Sequence, residues 1–236
     1  MGKLYDELTS DYRLKEGLNA CINCGTCTAI CPAAEFYQYD PRRIVDMVQS
    51  KDDTVIEELL NSDTIWYCGE CMSCVTRCPR KNAPGLVIMA LRNMSMAKGN
   101  FINSEKGRQQ YALTKVLTGN VLNYGYCVYP RAFKAALHPE AGPIWEWIEK
   151  NMDDVYARNG ANLDGEGPGA LRKIPQSDLD ELKRIFDITG ATERIESVNR
   201  LSMEKAKELG LTEEEYFMKV FTESSNNHFN NNNEEE

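Results

Sequence analysis

The sequence predicts a mainly α-helical protein: an N-terminal helical unit organised around two cysteine blocks, followed by a helical C-terminal extension. Three observations carry this. Eight of the nine cysteines fall into two blocks of identical spacing. The 36 residues between Cys31 and Cys68 are too many for a hairpin and enough for two helices. Apolar residues on either side of the blocks recur at three and four positions, the period of a helix with one buried face. The expected division is 1–101 for the cysteine-bearing unit, 102–223 for the extension, and 224–236 for a tail.

The elements follow in order. Asp40 is an N-cap with Pro41 at the first helical position, and Ile44, Val45, Met47 and Val48 form the apolar face behind them. A second helix starts near Thr54, repeats Val55, Ile56, Leu59 and Leu60, and ends at Asn61-Ser62-Asp63. After the second block Pro84 opens a helix through Leu86, Val87, Met89, Ala90, Arg92, Asn93 and Met94, with Gly99 as its stop. Ser104 to Leu117 reads as a further helix. Asn120 to Pro130 is an aromatic connection carrying the ninth cysteine, Cys127, read as a buried free thiol.

Further along, Pro143 opens a helix whose Ile144, Trp145, Ile148, Met152, Val155 and Tyr156 share one face, closed by Gly160. Trp145 and Trp147 are assigned to the core or to packing between subunits, and His138 to an exposed loop. GANLDGEGPGALRK is a loop by composition; its G-x-G-x-G matches neither a phosphate loop nor a dinucleotide fingerprint, so no nucleotide is assigned. Ser177 with Asp180, and Thr212 with Glu215, look like capping boxes that open two later helices. The last thirteen residues, SSNNHFNNNNEEE, have the composition of disorder.

Composition narrows the function. The 27 Lys and Arg against 36 Asp and Glu give a net charge of −9, the surplus lying mostly beyond residue 101, which disfavours a phosphate-backbone partner such as nucleic acid. Mean hydropathy is −0.50, and the longest charge-free stretch, 17–34, contains Asn, Thr, Pro and four Cys, so no membrane span is expected. MGKLYDELTS lacks the apolar segment of a signal peptide, which points to a cytoplasmic chain. Two His, His138 and His228, leave little material for imidazole acid–base chemistry.

The chemistry therefore lies in the cysteines. CINCGTCTAICP holds Cys21, Cys24, Cys27 and Cys31; CGECMSCVTRCP holds Cys68, Cys71, Cys74 and Cys78. Each reads C-x2-C-x2-C-x3-C-P, which resembles the run of bacterial two-cluster ferredoxins, where three Cys hold one cubane and the fourth ligates the other cluster. Carried over, one [4Fe–4S] cluster takes Cys21, Cys24, Cys27 and Cys78, and the second takes Cys68, Cys71, Cys74 and Cys31. Structural zinc has no use for the third repeated spacing or the paired prolines, and a disulfide framework suits small secreted domains. Gly25, Thr26, Gly69 and Ser73 leave room for backbone N–H groups near sulfur. Arg77, Arg80 and Lys81 place positive charge beside the second block.

GLNACINCGTCTAICP, the helical insert with DPRRIV, and IWYCGECMSCVTRCP with its following apolar helix together resemble the C subunit of heterodisulfide reductase over about residues 14–100. The stretch from HPEAGPIWEWIEKN through GANLDGEGPGALRK resembles the longer C-terminal region of the form found in the heterodisulfide reductase-like complex of sulfur-oxidising bacteria. The resemblance implies an α-helical ferredoxin-like dicluster domain, unlike the β-strand framework of small ferredoxins.

It also implies an electron-transfer subunit in a cytoplasmic hetero-oligomer, relaying electrons between a flavin-containing subunit and a cysteine-rich, disulfide- or thiol-transforming subunit of sulfur metabolism. Such a chain is an oxidoreductase subunit with no catalytic residue of its own, inactive alone. Subunits of a thiol-driven fumarate reductase or a glycolate oxidase type complex are the alternative reading, and a redox-sensing or structural cluster protein is the third. The succinate dehydrogenase iron–sulfur subunit differs in having a [2Fe–2S] domain ahead of its dicluster part, and no Cys-Cys pair of the catalytic heterodisulfide reductase subunit occurs here.

Overall fold

A computed structural model describes residues 2–138 and 141–222; the tail expected at 224–236 lies outside them. All regular secondary structure among the described residues is helical, without strands. Helices α1 (Lys3–Leu8) and α2 (Tyr12–Gly17) lead into the first block, where Cys27 sits on the turn α3 (Thr26–Ala29) and α4 (Ala33–Phe36) follows Cys31. Between the blocks run α5 (Pro41–Gln49) and α6 (Asp53–Asn61), and after the second comes α7 (Pro84–Lys98). The extension holds α8 (Glu105–Leu113), α9 (Gly119–Tyr124), α10 (Ile144–Lys150), α11 (Met152–Arg158), α12 (Gln176–Ile188), α13 (Ala191–Glu208) and α14 (Glu213–Thr222).

Local chemistry explains the starts and stops. The Asp40 carboxylate accepts the Arg43 N–H and Pro41 occupies the first turn of α5, as the sequence predicts. Asp52, two positions before the expected start at Thr54, caps α6 through the Thr54 N–H. Pro84 opens α7, and Gly99 ends it in the left-handed region at φ 81°. At α14 both halves of the capping box form: the Glu215 carboxylate accepts the Thr212 N–H (2.8 Å) and the Thr212 hydroxyl accepts the Glu215 N–H (3.3 Å).

Five expectations are corrected. The helix from Ser104 does not stop at Leu117: a π-turn at Thr114–Thr118 passes it into α9, and the stop is Gly125 at φ 76°. The helix opened by Pro143 breaks at Asn151, whose backbone leaves helical geometry (φ −118°, ψ 25°) and whose side chain bonds back to the Trp147 carbonyl. Ser177 is not a cap, because α12 already starts at Gln176 and the Ser177 hydroxyl donates to its neighbour Asp178. Cys127 is exposed. His138, read as exposed, is half-buried, stacked on Phe133 at 4.4 Å with Phe221 edge-on at 5.4 Å.

Two apolar cores organise these helices. The first gathers Leu8, Leu14, Ile44, Val45, Val48, Ile56, Leu59, Leu60, Val87, Ile88 and Leu91 from α1, α2, α5, α6 and α7. α7 is buried on most sides and is its axis. The second joins Phe101, on the turn ahead of α8, to Tyr111, Val198, Ala206, Tyr216 and Val220 of α8, α13 and α14. Trp66, just ahead of the second block, packs against both. Trp145 is half-buried against Phe133 (4.8 Å), whereas Trp147 is half-exposed.

Candidate iron–sulfur centre

Both blocks fold with the same local backbone. Asn23 and Glu70, at equivalent places, sit at positive φ (59° and 53°), as do Gly25 and Met72 (79° and 59°). The left-handed turns curl each loop so that the N–H of Asn23 donates to Cys21 Sγ and that of Glu70 to Cys68 Sγ, both at 3.4 Å. Thr26 Oγ1 lies 3.4 Å from Cys24 Sγ and Ser73 Oγ lies 3.4 Å from Cys71 Sγ. Those hydroxyls hold the Cys24 and Cys71 thiols below their ordinary pKa, while burial pushes Cys27 and Cys74 up.

The eight cysteines line two cavities. One, of about 360 Å³ including its open mouth, has Cys21, Cys24, Cys27 and Cys78 on its wall; the other, about 570 Å³, has Cys31, Cys68, Cys71 and Cys74. The exchange of the fourth cysteine has a visible cause. Residues following Cys78 are stitched to residues preceding Cys21: the Ala83 N–H donates to the Gly17 carbonyl (2.8 Å), Asn19 N–H to Asn82 Oδ1, Asn19 Nδ2 to the Lys81 carbonyl (3.4 Å) and Arg80 Nε to the Ala20 carbonyl (3.3 Å). On the other side Tyr37 stacks on Tyr67 at 4.3 Å, and Tyr39 meets it edge-on at 6.3 Å, which brings the chain after Cys31 against the residue before Cys68.

Different helices brace the loops. α5 holds the first: Cys21 N–H donates to Gln49 Oε1 (2.7 Å), Asn23 Nδ2 to Asp46 (2.7 Å), Arg42 Nη1 to Asn23 Oδ1 (2.9 Å) and Thr28 Oγ1 to Asp40 (2.5 Å). Arg92 of α7 holds the second, its guanidinium reaching the Ile65 carbonyl, the Cys68 carbonyl and Glu70 Oε1, each at 2.6 Å. Arg80, which the sequence places beside the second block, lines the cavity of Cys21, Cys24 and Cys27, because its own block contributes Cys78 there; Arg42 joins it. The second cavity is walled instead by Pro32, Ala33, Tyr39, Tyr67, Met72 and Ile88.

The donor set suits an iron–sulfur cluster in each cavity. Four soft sulfur ligands per cavity are what a [4Fe–4S] cubane requires. Among the described residues no three His, Cys, Asp or Glu side chains close on a single-ion position, so the thiols surround a volume. A Cβ built on Gly25 or Gly69 would meet nothing within 4 Å, leaving the space open. Backbone donors are already aimed at sulfur at Cys21, Cys68 and Cys78, the last from the Asn82 N–H at 3.2 Å. The sequence reading missed Gln49, Arg92, Tyr39 and Asn82; polar side chains inside helix faces or just ahead of a proline were the available signal.

Residues 17–82 match the family described as a 4Fe-4S dicluster domain, so helices and cysteine loops together define an iron–sulfur protein of the dicluster class. The chain is 32% identical over 189 residues to the C subunit of the ferredoxin:CoB-CoM heterodisulfide reductase of Methanosarcina acetivorans, a match covering 80% of this chain and 69% of that one. It is 30% identical to the second iron-sulfur C subunit of the CoB–CoM heterodisulfide reductase of Methanocaldococcus jannaschii, over 59% of this chain and 71% of the relative. Against the C2 subunit of the H(2)/formate:CoB-CoM heterodisulfide,ferredoxin reductase of Methanococcus maripaludis it is 32% identical over 58% and 71%. The chain belongs to the family of heterodisulfide reductase C subunits and is an iron–sulfur electron-transfer subunit of that family. No described helix is long and apolar enough to cross a membrane.

Proposed function

We propose that the chain carries two [4Fe–4S] clusters, one held by Cys21, Cys24, Cys27 and Cys78 and the other by Cys68, Cys71, Cys74 and Cys31. We propose that it relays electrons between a flavin-containing subunit and a cysteine-rich, disulfide- or thiol-transforming subunit of a cytoplasmic heterodisulfide reductase-like complex. The observation that carries the reading is the sorting of the eight cysteines into two quartets, each completed from the other block. Each cluster, when bound, supplies exchange of one electron at a time. The protein's part is to hold the sulfurs, supply donors to them and limit access by water. In this reading residues 1–101 form the cluster unit, and 102–223 form the extension that meets the other subunits.

Exposed Ile22, Ile30, Phe36 and Val75 beside the cysteine loops supply apolar surface where partners can approach the clusters. The test is cluster content and ligand assignment. Anaerobically prepared protein is expected to contain about eight irons and eight sulfides per chain. Cys78→Ser should damage the same cluster signal as Cys24→Ser, and Cys31→Ser the same signal as Cys71→Ser. If Cys78→Ser and Cys71→Ser perturb one common signal, each block holds its own cluster and the pairing is wrong.

A further inference from the structure

Tyr39 and Asn82 occupy matching places. Each lies two residues ahead of the proline that opens the helix behind a cysteine cavity, in Tyr39-Asp40-Pro41 before α5 and Asn82-Ala83-Pro84 before α7. Tyr39 and Pro41 line the cavity of Cys31, Cys68, Cys71 and Cys74; Asn82 and Pro84 line that of Cys21, Cys24, Cys27 and Cys78. Both residues are buried, with 4% and 2% of their surface exposed. Both carry a donor with no partner at hydrogen-bond geometry, Tyr39 Oη and Asn82 Nδ2. The other buried side-chain atoms in that condition among the described residues belong to residues that do not line either cavity.

Buried donors without partners are rare in folded proteins, because burial removes the water that would otherwise satisfy them. The orientation of the Asn82 amide is fixed: its oxygen accepts the Asn19 N–H, which leaves the NH2 group as the free end. Tyr39 is held by its edge-on contact with Tyr67 and by its N–H bond to the Tyr37 carbonyl (2.7 Å), and its hydroxyl faces the Cys68 thiol; burial pushes the phenol pKa up, and the charge and side-chain hydrogen bonding of Cys68 add to it.

We propose that the Tyr39 hydroxyl and the Asn82 side-chain amide donate hydrogen bonds to sulfur of the clusters held in their respective cavities, and that each raises the reduction potential of its own cluster. The proposal rests on the two-cluster reading given above. A donor to sulfur stabilises the reduced form, which carries one more negative charge, beyond the oxidised form. The phenol and the amide differ in strength and geometry, so the pair also separates the two potentials. Tyr39 shares its wall with Ser73 and Tyr67 and with no charged side chain, whereas Asn82 works alongside Arg42 and Arg80.

The test is a redox titration followed by EPR on the full chain prepared anaerobically, with iron and sulfide measured for every sample. At a fixed solution potential Tyr39→Phe is expected to lower the reduced-to-oxidised ratio of one couple about threefold to tenfold, tenfold being about 59 mV for one electron. The other couple stays in place. Asn82→Leu is expected to do the same to that other couple. Variants with full iron whose couples do not move, or move together, overturn the proposal and leave the two-cluster reading intact; a parent chain lacking two clusters overturns that reading instead. Should Asn82→Leu lose iron along with its Asn19 contact, pulsed EPR of the unaltered chain before and after exchange into deuterated water decides. A strongly coupled exchangeable proton at each cluster, one of them missing in Tyr39→Phe, is expected; couplings identical in Tyr39→Phe and its parent overturn the proposal.

Discussion

Arg92 reaches three acceptors that all lie ahead of or within the second cysteine loop, and its guanidinium also sits 5.5 Å over the Trp66 ring. A planar fork does this and an ammonium does not. Arg92→Lys is expected to preserve the helices yet cost about 2 kcal/mol, the scale of losing charge-assisted bonds to two carbonyls, seen in denaturant unfolding together with faster loss of iron to a chelator. Asp40 is the corresponding pivot of the first loop: it caps α5, accepts from Thr28 and pairs with Arg42. Burial alone would raise its pKa, but Thr28, the Arg43 N–H and Arg42 outweigh it and hold the carboxyl below the ordinary value of 3.8. Its stabilisation is therefore present above that value and is lost as pH falls through the lower folded one. Asp40→Ala should cost about 1–2 kcal/mol at neutral pH, and Asp40→Asn, which keeps a capping oxygen, should cost less and flatten the acid limb of the stability curve. The eight cysteines were legible in the sequence because their spacing is itself the chemistry. Arg92, Tyr39 and Asn82 were not, since each acts on a residue far away in the chain and nothing local distinguishes it from a solvated or loop side chain.

Helices with a proline at the first turn are legible from the sequence, as α5 with its Asp40 cap and α7 with its Gly99 stop show. Where the ends are set by other means the sequence misleads. α9 continues because the π-turn absorbs Thr114–Thr118, and Gly119 adopts ordinary helical angles (φ −58°) that no glycine signal reveals. α10 and α11 part at Asn151 without Gly or Pro. α13, the longest helix of the extension, has no legible apolar stripe, since charged residues dominate it and only Val198, Ser202 and Ala206 are buried. Gly99 tests the element scale directly. Its φ is 81° and an added Cβ would lie 2.9 Å from Leu201 Cδ1 on α13. Gly99→Ala should lower stability by about 1–2 kcal/mol from the left-handed backbone alone, with the Leu201 contact adding to it; an unchanged melting midpoint would contradict the account.

The molecule has one core packed behind the cysteine loops and another in the extension, joined at Gly99 and by Trp66. The loops themselves contribute few buried residues, and Cys24 and Cys71 are exposed. Stripping the clusters should accordingly act locally. Hydrogen exchange of iron-free protein is expected to accelerate strongly across 17–31 and 68–83 while amides of α8, α13 and α14 keep most of their protection. Equal loss of protection in both cores would show that the extension depends on the metal centres. The sequence signals a change in composition beyond residue 101, and Gly99, legible there only as a helix stop, lies between the two cores. The packing of α13 across α8 and the route of the chain from Gly125 to Pro175 depend on contacts that no local pattern encodes.

The stitching of 80–83 onto 17–20 bears on how the protein matures as it leaves the ribosome. A nascent chain that has emerged only as far as α6 displays one whole cysteine block and no complete quartet, because Cys68, Cys71, Cys74 and Cys78 have yet to emerge. The second quartet closes at Cys74 and the first four residues later, so the two sites become competent within a few residues of each other. With the proposed pairing, cluster loading is in this way tied to emergence of nearly the whole N-terminal unit. A messenger truncated anywhere before the codon for Cys74 would yield a product with no finished cradle to capture iron.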